Sequence, residues 1–401
     1  MRLPGGFHLT YCSNIHPGES WPEVRANLER HLPLIKQAIS PHAPFGVGLR
    51  LSAQAAQALE EGAALEEFAS FLESHGCYVF TLNGFPYGVF HGARVKEEVY
   101  LPDWLDDERL SYTNRLARIL ARVLPEDIEG TISTVPGAFK NSIRSPDDEA
   151  RMARRMLSHV AMLHRLRESH GKTMALAIEP EPCCHIETTE EAIAFFKGHL
   201  FSSARLDELA MELGTTRSRA EEAARRHLGL CLDACHQAVE FEDMAKSLAA
   251  LNAAGVAIRK VQVSSALKLR FQRGDGRPET LLRPFAESTY LHQVVERAAG
   301  GFVRHADLPQ ALDGEAHRRG GDAVEWRVHF HVPVFLEEMR EFETTQTHLV
   351  ELLALIKKHA ACPYLEVETY TWDVLPPEYR TLSLDEAIVR ELEWVRGRLA
   401  Q

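Results

Sequence analysis

MALAIEPEP, residues 174–182, and LGLCLDACH, residues 228–236, share one pattern. Each is a short apolar run that breaks into acid at its C-terminal end. Glu179 and Glu181 close the first; Asp233, followed by His236, closes the second. A run apolar on both faces reads as a strand buried between two layers of helix, the usual setting of a parallel sheet. Acid at the exit of such a strand is out of place as packing and in place as chemistry.

Six more short β-rich runs, each ending in polar residues, recur along the 401 residues: Phe7–Ser13, Phe45–Leu51, Tyr78–Phe85, Gly130–Val135, Ile258–Ser265 and Tyr364–Tyr370. With Met174–Glu181 and Leu228–His236 they make eight. Amphipathic stretches with helical spacing lie between them: Trp21–Ile39, Ala53–Ser74, Asp107–Val123, Pro146–Ser169, Glu187–Lys197, Phe241–Ala254 and Leu336–Lys358. Eightfold alternation of strand and helix predicts an α/β fold, a (β/α)8 TIM barrel closed on itself. Three connections are long, at 84–106, 201–227 and 266–335. Ordered loops of that length in a barrel are expected to roof the C-terminal face, where barrel active sites lie. No stretch rich in Pro, Gly and Ser divides the chain, so residues 1–401 are expected to form one elaborated domain.

Composition narrows the class. Apolar residues make up 45% and charged residues 25%, which excludes a disordered or collagen-like chain. Lys and Arg number 45 against 57 Asp and Glu, a net charge of −12, so neither nucleic acid nor anionic lipid is an expected partner. No secretory leader is visible at MRLPGGFHLTYCSN and no apolar run is long enough to span a bilayer. Seven cysteines, an odd number, fit free thiols in a reducing compartment, and a cytoplasmic protein is expected. Cys183, Cys184, Cys231 and Cys235 lack the paired spacing of a thiolate zinc site and read as buried thiols. Leu206–Arg226 has the outline of a helix-turn-helix but is as rich in acid as in Arg, and reads as a structural insertion. There is no phosphate-binding G-x-x-x-x-G-K-[ST] and no nucleophile elbow G-x-S-x-G.

The candidate site is therefore built from strand ends. Glu179 shares a face with Glu181, and Glu366 with Glu368, because side chains alternate along a strand. RKVQVSS carries Gln262 on the seventh run. Carboxylates of Glu179, Asp233 and Glu368 converging at one barrel end repel unless a cation sits among them. A divalent metal is the natural occupant: Mn, Mg, Zn, Co or Fe. Single strand-end carboxylates also cap helices or pair with Arg, but three on independent strands favour a site. His329 and His331 form an H-x-H pair in RVHFHVPVF and would face one metal together if they lie in a strand. His236 suits a ligand, a proton shuttle or a substrate contact.

The set Glu179 in AIEPEP, Asp233 and His236 in CLDACH, Gln262 in KVQV and Glu368 in EVET resembles the xylose isomerase-like barrel superfamily of sugar isomerases, ketose epimerases and endonuclease IV-type nucleases. The H-x-H resembles the additional metal-binding pair of the nuclease branch. Longer blocks, HLTYCSNIHPGESW, PFGVGLRLS, FTLNGFPYGVFHG, VKEEVYLPDW and LDACHQAVEFED, resemble the EboE family of metabolite traffic proteins. Three positions depart from the superfamily pattern. Gln262 stands where the epimerases place His, and Asn83 and Ser133 stand where the nuclease places His ligands, which speaks against a trinuclear zinc site.

The resemblance implies a metal-dependent isomerase or epimerase acting on a small hydroxylated metabolite such as a sugar or polyol. Glu179, Asp233 and Glu368 would hold the metal, completed by Gln262 or His331, with His329 alongside. Glu179, Glu368 or Glu181 would move the proton, and His236 would hold a substrate hydroxyl. Asn83, the aromatic loop with Phe85, Tyr87, Phe90 and His91, and Trp372 would bind and cover the substrate. The alternative is a non-catalytic metabolite-binding or trafficking protein on the same barrel; an endonuclease IV-like nuclease is a distant third. A homo-oligomer or a pathway protein partner is compatible with either of the first two.

Overall fold

The computed structural model describes residues 1–314 and 321–400. Seven strands follow in order: β1 His8–Tyr11, β2 Phe45–Arg50, β3 Cys77–Asn83, β4 Gly130–Thr134, β5 Met174–Ile178, β6 Leu228–Asp233 and β7 Ile258–Val263. A long insertion carries β8 Leu267–Gln272, β9 Val294–Ala298, β10 Gly301–His305, β11 Ala323–Val328, β12 Glu338–Met339 and β13 Phe342–Thr344. The chain then returns with β14 Tyr364–Val367. Strands β1–β7 and β14 form one parallel sheet in the order β1-β14-β7-β6-β5-β4-β3-β2. A parallel bridge from Cys12 to Gly48 draws its two ends together, so the barrel is nearly closed. All eight expected strands are present, each trimmed by a few residues at its C-terminal end, where the chain turns into the loops that carry the site.

The helices form for ordinary reasons. Helix Trp21–Ile39 starts where Glu23 accepts a hydrogen bond from the Ser20 amide at 2.9 Å, and it buries Val24, Leu28, Leu32, Ile35 and Ile39 at a three-to-four-residue spacing. Helix Pro146–His170 begins at Ser145 and ends where Gly171 takes φ 72°. The expected helix Ala53–Ser74 is two, Ala53–Leu59 and Ala64–Ser74, parted at Gly62 with φ 57°.

Two expectations need larger correction. Leu336–Lys358 is helical only from Gln346 to His359; residues 338–344 form the β12–β13 pair, and β13 docks on β8. The 266–335 connection is the core of an antiparallel sheet ordered β10-β9-β11-β8-β13-β12. Opposite charges pair across its strands, with Arg270 and Arg297 both on the buried Glu325 and the buried Lys268 on Glu343.

The other insertions differ in role. Residues 203–213 and 217–227 are two helices that pack on helix Pro146–His170, away from the barrel mouth. Their Arg217 and Arg225 pair with Asp207 and Glu221, which suits a structural insertion. The 84–106 loop does cross the mouth and is pinned to the large insertion. Lys96 Nζ donates to Tyr290 O at 2.7 Å and Glu287 O at 3.1 Å and pairs with Asp307 at 2.6 Å.

The inside of the barrel is polar. Thr10, Glu366, Gln262 and Asp233 stand in register on one inward-facing row. Thr131 donates to Thr81 at 2.9 Å, and Lys260 reaches across to Ser133 at 3.3 Å. Gly48 is required here: a Cβ at that position would lie 1.9 Å from Glu366 Oε1 and 2.6 Å from Tyr11 O.

Candidate metal centre at the barrel mouth

Glu179 follows β5 directly, Asp233 ends β6 and Glu368 follows β14. Parallel register therefore delivers three carboxylates to one end of the barrel. One oxygen from each lies within 4.8 Å of the other two, and all three residues are buried.

Their hydrogen bonds show how much of each carboxylate is already committed. Asp233 Oδ1 accepts from the His236 amide at 3.0 Å and from Ser264 Oγ at 2.7 Å, capping the short helix Ala234–Val239. Glu368 Oε1 accepts from Asn14 at 2.8 Å and Asn83 at 2.7 Å. The remaining oxygens are left over: Glu179 Oε2 and Asp233 Oδ2 are buried with no hydrogen-bond partner among the described residues. Both amide atoms of Gln262 and the Nε2 of His331 are equally unpartnered. Each such group costs about 1–3 kcal/mol when buried unpaired, and four of these atoms (Glu179 Oε2, Asp233 Oδ2, Gln262 Oε1 and His331 Nε2) can donate to a cation, so the cluster calls for a ligand. Oxygen donors with one imidazole are the set that a divalent cation takes.

Electrostatics agree. Burial, then the neighbouring Glu368 and Asp233, raises the Glu179 carboxyl well above its ordinary range. Burial, followed by Asp233 and Glu366, pushes Glu368 up to about 8. The cation already inside the barrel, Lys260, is spoken for: its Nζ lies 2.6 Å from Glu366 Oε2, and both side chains are fully buried. Burial, the largest single influence, works against the charge on Lys260, but Glu366 together with Cys231, Cys12 and Glu179 outweighs it and holds the ammonium above its ordinary pKa.

The H-x-H pair lies just past β11 rather than within a strand, yet its two rings stay together, with centroids 5.2 Å apart. His331 goes to the carboxylates: its Nδ1 donates to Glu368 O at 2.7 Å, and it shares a possible ligand set with Asp233 and His236. Burial holds it down at about 4, in the neutral form that ligates metals. His329 instead groups with Glu181 and His236. Cys235 has a sulfur within the same 4.8 Å of ring nitrogens of His329 and His331, and all seven cysteines are free.

Above this layer lies a small cavity of about 50 Å³, lined by Asn14, Asn83, Phe85, Phe90, Tyr100, Glu179, Glu181, His236, Tyr290, His329, Glu368 and Tyr370 among others. Phe90, Tyr290 and Tyr370 form its aromatic roof, with ring centroids 5.0–5.3 Å apart. Glu181 is anchored by Tyr100 Oη at 2.7 Å and Gln293 Nε2 at 3.2 Å, and burial raises its pKa. His236 Nδ1 donates to Pro180 O at 2.9 Å, which leaves Nε2 as an acceptor.

Of the residues expected to contact substrate, Asn83, Phe85 and His236 line this cavity, while His91 and Trp372 do not. Trp372 turns into the apolar core, and Tyr370 takes the place at the mouth. Sequence reasoning passed over Asn14, Tyr100, Lys260, Gln293 and Tyr290. Lys260 alone had a legible signal, lying two residues before Gln262 on the same strand face. A larger groove at the opposite end of the barrel, near Glu129, Arg259 and Tyr364, brings together no metal-ligating cluster among the described residues.

No protein-family model matches the chain, and neither does any curated protein. Solved structures do. A xylose isomerase-like TIM barrel protein from Mycobacterium smegmatis, in complex with magnesium, aligns over 100% of this chain and 98% of its own, at 10% identity and TM-score 0.52. The IolI protein with a bound zinc atom aligns over 98% of each chain, at 13% identity and TM-score 0.43. The probable 3-DHS dehydratase AsbF from Bacillus anthracis covers 96% of this chain and 97% of its own, at 12% identity and TM-score 0.44. The first of these, with the closed strand order, establishes the xylose isomerase-like TIM-barrel fold. No helix among the described residues is long and apolar enough to cross a membrane.

Proposed function

We propose that this chain is a divalent-metal-dependent isomerase or epimerase acting on a small hydroxylated metabolite of the sugar or polyol class. One observation carries the reading: Glu179, Asp233 and Glu368 converge, buried, and Glu179 Oε2 and Asp233 Oδ2 have no hydrogen-bond partner among the described residues. They would hold the metal, with His331 Nε2 or Gln262 Oε1 completing the shell. The resemblance of the motifs to sugar isomerases and ketose epimerases, and the magnesium in the similar Mycobacterium smegmatis barrel, support the same class of centre. A bound divalent ion supplies a Lewis acid that polarises a carbonyl oxygen and favours loss of the adjacent C–H proton.

The remaining work falls to the chain. Glu181 lies outside the carboxylate trio, lines the cavity and has a raised pKa, so it is the group placed to take and return the proton. Tyr100 and Gln293 fix its orientation. His236, with Nε2 bare, accepts a hydrogen bond from a substrate hydroxyl. Asn14 and Asn83 orient Glu368. The aromatic roof excludes water and stacks on the apolar face of a ring.

The test is deuterium wash-in. The magnesium- or manganese-loaded chain is incubated in D2O with a panel of ketoses and cyclic polyol ketones, and exchange at the carbon next to the carbonyl is followed by NMR. Exchange with at least one substrate, lost in Glu181→Gln, is expected. Binding of a panel member without exchange would refute catalysis. That outcome fits the second reading, a metabolite carrier, which the EboE resemblance and the pinned roof over the cavity favour.

A further inference from the structure

Strand β10 is an open edge of the second sheet. Ala299 and Gly300 turn the chain from β9 into β10, so Ala298 and Gly301 form a hydrogen-bonded pair and the pairing alternates from there. The amides and carbonyls of Phe302 and Arg304 therefore face away from β9, and no hydrogen bond among the described residues takes them up. Natural sheet edges are usually blunted by charge, proline or a bulge. Here the edge begins Gly-Gly-Phe-Val, and Phe302 and Val303, on opposite faces, are 51% and 48% exposed. Arg304, the charge that follows, turns aside onto Glu240 at 2.9 Å.

The face that carries Phe302 holds more positive than negative charge. Phe302, Arg297, Glu325 and Arg270 stand in register across β10, β9, β11 and β8. Glu325 accepts from three guanidiniums at once: Arg327 at 2.8 Å, Arg297 at 3.0 Å and Arg270 at 3.1 Å. Arg270 also reaches Glu343 at 3.2 Å, which already holds Lys268. Four cations share two carboxylates, an excess of two positive charges on a chain whose net charge is −12. Arg297 is fixed in place by Phe241, whose ring centroid lies 4.5 Å from its Cζ and 5.3 Å from that of Phe302. The Arg297 side chain is nonetheless half exposed.

We propose that the β10 edge receives an extended acidic segment of a partner protein as an added strand. The open backbone groups of Phe302 and Arg304 fit a polypeptide rather than a nucleic acid. Partner residues opposite Phe302 and Arg304 point to the arginine face, and the residue opposite Val303 points to the other. The segment that fits therefore alternates Glu or Asp with an apolar residue. Its acidic side chains reach over Phe302 toward Arg297, two strand spacings or about 10 Å away. A second copy of this chain fits less well: pairing β10 with β10 about a two-fold axis puts both arginine rows on one face, like charge beside like. The sheet also carries Gln293, just before β9, and His329, just after β11, to the barrel mouth, so the partner sits on the frame of the site. The proposal is independent of the reaction assigned there.

The test is fluorescence anisotropy of a labelled peptide alternating Glu and Val, titrated with the full chain at low salt. Saturable binding of one peptide per chain is expected, weakening as salt rises. Lys in place of each Glu, or Arg297→Glu in the protein, should weaken it at least ~10-fold. N-methylation of the peptide amides that face β10 keeps every charge and should also weaken it at least ~10-fold, because strand addition needs those N–H groups. That comparison requires no change to the protein, so it stands even where Arg297→Glu fails to fold. Absence of saturable binding overturns the proposal, and so does equal binding of the N-methylated peptide. An oligo-dT strand that displaces the peptide and binds more tightly would overturn it in favour of nucleic acid. A dimer in sedimentation that the peptide does not displace and that Val303→Glu abolishes would overturn it in favour of a second copy.

Discussion

Replacing Lys260 by Met removes an ammonium that sits 2.6 Å from Glu366 Oε2 in the barrel interior, with neither side chain reaching solvent. At that separation a unit pair is worth about 6 kcal/mol at an effective dielectric of ~20, and desolvation of both ions offsets much of it. The single substitution loses the attraction and leaves the carboxylate buried beside Glu368, a cost of about 3–5 kcal/mol. Against a total stability of about 5–15 kcal/mol, that is a large fraction. Lys260→Met with Glu366→Gln removes both charges, and the double variant should lie within about 2 kcal/mol of the wild type. Urea denaturation of the wild type, both single variants and the double variant at pH 7 in EDTA gives the coupling from the midpoints. A double variant as unstable as Lys260→Met alone would mean that the two charges do not hold each other, and would refute the account of the barrel floor.

Four further outcomes are expected. Glu179 and Glu368 bind protons more tightly folded than unfolded, so the metal-free chain should lose stability as pH rises from about 4.5 to about 8; added Mg²⁺ should restore it most at the upper end, as read by Tm at pH 5 and pH 8 with EDTA or Mg²⁺. Gly48→Ala forces Glu366 aside and should cost about 1–3 kcal/mol, measured by denaturation, with weaker Mg²⁺ binding. Tyr100→Phe removes the 2.7 Å hydrogen bond to Glu181 and should lower deuterium wash-in about 10- to 100-fold, with its pH profile moved upward; an unchanged profile would remove Glu181 from the proton path. Lys96→Met unpins the roof and should speed limited proteolysis within 84–106.

The barrel was legible because its strands are short β-rich runs ending in polar residues and alternating with amphipathic stretches, so eight runs announced themselves without any alignment, three of them ending in acid. The carboxylates were legible for the same reason: a charge at the end of a buried strand has no packing explanation. The second sheet was not recognised, although LKLRFQ in β8 and AVEWRV in β11 alternate as half-buried strands do. The segment was read as a long ordered connection, and only cross-strand pairing reveals that it is a sheet. His329 and His331 were read as one unit because a strand would aim them together; the chain leaves β11 before reaching them, but their rings still stand 5.2 Å apart and share a possible ligand set with Cys235. Asn14, Tyr100 and Gln293 come from loops with no periodic signal, and their convergence on Glu368 and Glu181 is a product of the tertiary fold alone.

The central claim is that Glu179, Asp233 and Glu368 bind a divalent cation. Plasma mass spectrometry of the untagged chain, loaded with Mg²⁺ and desalted, beside Glu179→Ala/Asp233→Ala, tests it most directly. The account predicts about one equivalent in the wild type and almost none in the double variant. A wild type that retains no ion after loading, or a double variant that retains as much, would contradict it.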